Sequence, residues 1–73
     1  MQIHVNDENR EVPENLSLQQ FISYLNLAPE RIAIEVNHDL VRRADWPATV
    51  LKEGDRVEIV HFVGGGRQEA VSR

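Results

Sequence analysis

The chain has 73 residues, 41% hydrophobic and 27% charged, and contains no cysteine. One core is the most such a length builds, because a domain needs roughly 50 residues or more, and a small core leaves little room for an enclosed active site. Eight Lys and Arg against 12 Asp and Glu give a formal charge of −4, which opposes general nucleic-acid binding, while the missing thiols exclude disulfides and thiolate metal centres.

Gln2-Ile3-His4-Val5-Asn6 alternates, and Ile3 with Val5 on one face predicts a half-buried strand. Asn6-Asp7-Glu8-Asn9 reads as a turn cluster, after which Arg10-Glu11-Val12 returns as a short strand before Pro13. Leu16 to Leu25 is the clearest helix. Ser17 and Gln20 have capping-box spacing, Leu16 and Phe21 that of a hydrophobic staple. Leu18, Phe21, Ile22 and Leu25 form one apolar stripe, and Pro29 forbids continuation. Ile32-Ala33-Ile34-Glu35-Val36-Asn37 alternates again, followed by a turn at Asn37-His38-Asp39 and a short edge strand at Leu40-Val41. Arg42 to Pro47 reads as a loop or single helical turn holding a partly buried Trp46. Gly54 supplies the positive φ of a turn, and Arg56 to Val63 is the strongest strand. One helix among such strands suits an α+β fold with the helix packed on a mixed four- to five-stranded sheet.

No apolar run approaches the roughly 20 residues of a membrane span, and the N-terminus lacks a signal-peptide pattern, so the expected location is the cytoplasm, with no membrane partner. His4, His38 and His61 have no metal-ligand spacing, and no serine is arranged with a histidine and an acid. The sequence therefore predicts no bound metal, no cofactor of its own and no catalytic residue. The last strand carries more information. Val57, Ile59, His61 and Val63 fall on one face, Glu58, Val60 and Phe62 on the other. With a single helix to cover the sheet, Glu58, Val60 and Phe62 are expected to form a partner interface, unless a loop carrying Trp46 lies over them.

Gly64-Gly65-Gly66 follows directly. Glycines contribute no packing and lose much backbone freedom when ordered. A run of three, about 10 Å extended, is slender enough for a narrow channel and can present a terminal carboxylate there. A flexible linker is the other reading of such a run. Arg67 to Arg73 is polar and is expected to be a disordered extension.

Arg43 and Trp46, then Leu51-Lys52-Glu53-Gly54-Asp55-Arg56-Val57-Glu58-Ile59-Val60-His61-Phe62-Val63-Gly64-Gly65-Gly66, resemble the ThiS family of sulfur carriers in thiamine (thiazole) biosynthesis. Ala33-Ile34-Glu35-Val36-Asn37 fits the same family, and the resemblance spans residues 1–66. It implies a ubiquitin-like β-grasp fold. It also implies that Gly66 is adenylated by an E1-like ThiF enzyme with ATP and magnesium and converted to a thiocarboxylate. The sulfur comes from a cysteine desulfurase relay and passes to the thiazole synthase ThiG, with Gly64 and Gly65 leading into the partners' sites. Family members usually end at the glycines, so either residues 67–73 are removed by a protease that cuts after Gly66, which is the expectation here, or the chain is inactive as a carrier. A MoaD-like carrier of another pathway would share fold and chemistry. A ubiquitin-like or TGS-type interaction module would share the fold alone.

Overall fold

A two-residue turn, shorter than the cluster expected at residues 6–9, closes the first hairpin. In the computed structural model, which describes residues 1–63 and 67–70, strand β1 (Gln2–Val5) pairs antiparallel with β2 (Glu8–Glu11), Val5 opposite Glu8. Asn6 and Asp7 take φ of +49° and +68°, the backbone that matches the twist of a tight hairpin, and both residue types tolerate it. The second strand thus begins two residues earlier than the alternation of apolar residues suggested. The same device joins β3 (Ile32–Val36) to β4 (Asp39–Val41), through Asn37 at +52° and His38 at +72°.

Helix α1 (Leu18–Tyr24) starts as its capping box requires. Ser17 Oγ accepts from the Gln20 amide at 3.1 Å, and the Gln20 side-chain oxygen accepts from the Ser17 amide at 2.9 Å. Asn26, at φ +60°, turns the chain away. Two 3-10 segments flank the β3–β4 hairpin: Pro29–Arg31, not expected from the sequence, leads into β3, and Arg43–Ala48, which takes up the single helical turn expected over Arg42 to Pro47, follows β4. The second carries Trp46, which is buried rather than partly buried; its indole N–H donates to the Val41 carbonyl at 3.0 Å.

Strand β5 (Arg56–Val63) is central in the order β2-β1-β5-β3-β4, parallel to β1 and antiparallel to β3. A sixth strand, β6 (Arg67–Ala70), pairs antiparallel with β5, Val63 opposite Arg67 and Val60 opposite Ala70. The disorder expected from residue 67 onward is therefore corrected for residues 67–70. Pairing at a sheet edge uses backbone groups, which a composition argument does not see. Residues 64–66 and 71–73 lie outside the described residues.

The apolar stripe of α1 lies on the sheet. Leu18, Phe21 and Ile22 join Ile3, Val5, Ile34, Val57 and Ile59 in one buried cluster, closed by Val12, Ile32, Trp46 and Leu51. Burying such a side chain contributes about 1.5–3 kcal/mol, so this one layer dominates the stability of the domain. Among the described residues no polar or charged residue is buried, and no helix is long and apolar enough to cross a membrane.

Candidate functional site

The two faces of β5 meet different surroundings. Val57 and Ile59 are 1% and 2% exposed beneath α1. On the opposite face Glu58 is exposed, Val60 half-buried and Phe62 37% exposed. Trp46 belongs to the core cluster, so the expected alternative of a Trp46 loop over Val60 and Phe62 does not occur. The alternation of a single strand was enough to separate these faces.

Strand register enlarges the patch. Ala33 lies opposite Val60 and Glu35 opposite Glu58, both in β3, and Leu40 of β4 lies opposite Glu35. Leu40 is 67% exposed. Ala33 and Glu35 were legible in principle, as the out-of-phase residues of a strand whose Ile32, Ile34 and Val36 face inward. Leu40 had no such signal, because a three-residue edge strand has no periodicity to read.

Glu35 and Glu58 place like charges directly opposite each other, which destabilises a strand pair. The turn brings His38 to them, and one ligand-type atom of each of the three lies within 4.8 Å of the others. Sequence spacing hides this group because it comes from two strands and a turn. The face therefore combines an apolar patch with an acidic margin. Such a surface suits a partner that presents apolar side chains ringed by basic ones. The nearby Arg56 guanidinium is engaged with Asp7 at 3.7 Å, an exposed contact that contributes little.

The other sequence candidates remain apart. Ser17 is occupied as a helix cap. His4 and His38 border one small hollow with Asp7, Arg56 and Glu58, and no serine lines it. His61 turns toward the inner face, half-buried, and its shielded Nδ1 has no hydrogen-bond partner among the described residues. At the far end of the sheet, the Met1 ammonium donates to the Glu11 carboxylate at 3.0 Å. That hydrogen bond holds the Glu11 carboxyl below its ordinary range and raises the terminal amine above its own.

The candidate site residues Gly64, Gly65 and Gly66 lie outside the described residues. The structure positions the strand that reaches them: β5 runs through the middle of the sheet and delivers the chain at Val63. A side-chain device anchors this strand. Asn6, turned by its positive φ, donates from Nδ2 to the Ile59 carbonyl at 3.3 Å and accepts from the Ile59 amide at 2.8 Å. Its carboxamide extends the β1 edge by one residue's worth of hydrogen bonds. A lone asparagine in a turn gave no hint of that task.

Solved structures similar to this fold include those of the thiamine biosynthesis protein ThiS from Geobacter metallireducens. Its crystal structure superposes with a TM-score of 0.81 at 35% identity, covering 90% of this chain and 100% of that one. Its solution structure gives 0.77 at 33% identity, covering 100% and 97%. In sequence, the chain is 40% identical over 67 residues to a thiazole synthase of Magnetococcus marinus, matching 92% of this chain but only 21% of that protein. It is 42% identical over 64 residues to the uncharacterized protein ycf40 of Porphyra purpurea, covering 88% and 90% of the two chains. This chain thus spans about a fifth of the thiazole synthase it matches. The model of the ThiS family matches residues 3–66, ending at the third glycine. The chain belongs to the ThiS family.

Proposed function

We propose that this protein carries sulfur for thiazole formation in thiamine biosynthesis, and that Gly66 is the residue modified. The observation that carries the reading is the position of the glycine run in the chain: the family match ends at Gly66, and the run follows directly after the central strand, whose outward residues Val60 and Phe62 stay partly exposed. Cleavage after Gly66 frees a carboxylate. One of its oxygens attacks the α-phosphorus of ATP in a ThiF-like enzyme that binds magnesium, and pyrophosphate leaves. The terminal sulfur of a persulfide on the cysteine desulfurase relay then attacks the acyl carbon, and AMP departs with the electron pair of the broken acyl–oxygen bond, leaving an acyl disulfide. A second thiol cleaves it, forming a disulfide with the relay cysteine and releasing the sulfur on the acyl carbon as the thiocarboxylate. The thiazole synthase ThiG takes that sulfur.

In this reading the protein is a co-substrate, and its partners supply the catalytic groups and the cofactors. Gly64 and Gly65 form a lead thin enough for the enzymes' channels, while Glu58, Val60 and Phe62 dock the domain. The closing test is a reconstitution with ATP, a sulfur source, ThiF and ThiG. A chain ending at Gly66 supports thiazole formation, and Gly66→Asp abolishes it while leaving the fold intact. Normal thiazole formation by Gly66→Asp would make the protein an adaptor instead.

A further inference from the structure

Backbone groups along a strand point alternately to its two edges. In β5, Arg56 faces β3: its carbonyl accepts from the Asn37 amide at 2.7 Å and its amide donates to Asn37 Oδ1 at 2.9 Å. Val57 faces β1, its carbonyl accepting from the Asn6 amide at 3.0 Å. Ile59, next on that edge, is satisfied by the Asn6 carboxamide. His61 and Val63 follow on the same edge, beyond the end of β1 at Val5. There β6 lies opposite them, Glu69 facing His61 and Arg67 facing Val63. One edge is thus covered in three successive ways, by a strand, a side chain and the segment after the glycines.

The third cover is the weakest. It is four residues long, and short peripheral pairs open at little cost. Its register sets Gln68 opposite Phe62, where a β-branched or aromatic residue would pair better with the apolar patch. An extended segment with an apolar residue opposite Phe62 therefore fits this edge better than the chain's own strand does.

We propose that the β5 edge at His61 and Val63 is a strand-addition site for an extended segment of thiazole synthase, and that Arg67–Ala70 holds this place until it is removed or displaced. The inference rests on the carrier reading above. An enzyme that takes Gly66 into its site must hold the chain just before it, and His61 and Val63 lie there. In the Magnetococcus marinus relative, the segment matching this chain is part of a thiazole synthase itself. Main-chain hydrogen bonds would supply affinity and the residue beside Phe62 selectivity. While β6 is paired, docking would be weakened by the fraction of chains that are open.

Amide hydrogen exchange read by NMR tests both halves. In the 73-residue chain the His61 and Val63 amides are protected. Glu69→Pro removes the donor opposite His61 and speeds their exchange about tenfold, the loss of one ladder hydrogen bond, while Ile59 is unchanged. Equal exchange in the parent chain and Glu69→Pro would overturn the placeholder role. Among the described residues the buried side chains lie between Ile3 and Ile59, so a chain ending at Gly66 keeps this core and can be titrated with thiazole synthase from the same organism. Renewed protection of His61 and Val63 in the complex is the expected result. Binding without that protection overturns the strand-addition site and leaves the carrier reading standing, whereas absence of any binding overturns the carrier reading and this proposal together.

Discussion

The inner and outer faces of the sheet share the same strands yet differ in what their residues do. Inward, Phe21 is fully buried against Ile3, Ile34 and Ile59, and the packing is closed. Outward, Phe62, Leu40 and Val60 stay in contact with water beside two opposed glutamates. A domain this small has one helix to cover two faces, so stability is concentrated on one and recognition is left to the other.

The largest effect expected from breaking this division is at Phe21. Phe21→Ala should cost about 3–5 kcal/mol in urea unfolding, as buried aromatic truncations do. Phe62→Asp should change stability by less than about 0.5 kcal/mol but weaken binding to ThiF or ThiG by at least about tenfold. Equal losses of stability at the two positions would erase the contrast between the faces.

Asn6 sharpens the comparison at the boundary where β1 hands over the β5 edge. Asn6→Gly keeps the positive φ but leaves the Ile59 amide and carbonyl without their partner, at an expected cost of about 1–3 kcal/mol. Exchange of the Ile59 amide should rise accordingly, and an unchanged rate would remove the anchoring role.

The smallest effect concerns the end of the sheet away from the glycines. Glu11 has a carboxyl held below its ordinary value of 4.5, so its contribution is present above that pH and lost as pH falls through the lowered value. The Met1 amine is raised above its ordinary 8.0, so its contribution is full below that pH and fades as pH rises through the raised value. The melting temperature should therefore be flat from about 4.5 to 8 on this account and dip slightly on either side. Glu11→Gln should flatten both flanks, measurably but weakly, because the pair is exposed. A parent and variant with superimposable pH profiles would discount the contact.

Local rules that involve neighbours in sequence were readable before any fold was known. The Ser17–Gln20 cap, the α1 stripe and the alternation that sends Val60 and Phe62 outward all depend on spacings of two to four residues. Three features were not readable, for one common reason. The Glu35–His38–Glu58 group, the Asn6 carboxamide on Ile59 and the β6 pairing each depend on register between segments distant in sequence. Register is set by turn geometry, and positive φ at Asn6, Asp7, Asn37 and His38 shortened both hairpin turns. Gly66 is legible by a different logic: three consecutive glycines contribute nothing to packing, so folding does not account for them.

The central claim is that Gly66 becomes a thiocarboxylate, and intact mass spectrometry tests it most directly. The chain ending at Gly66 would be incubated with ThiF, ATP, magnesium and sulfide. A gain equal to the mass difference between one sulfur and one oxygen, located at the C-terminal residue by fragmentation, is the predicted result. An unchanged mass with an adenylating enzyme shown to be active, or the same gain at any other residue, would contradict it.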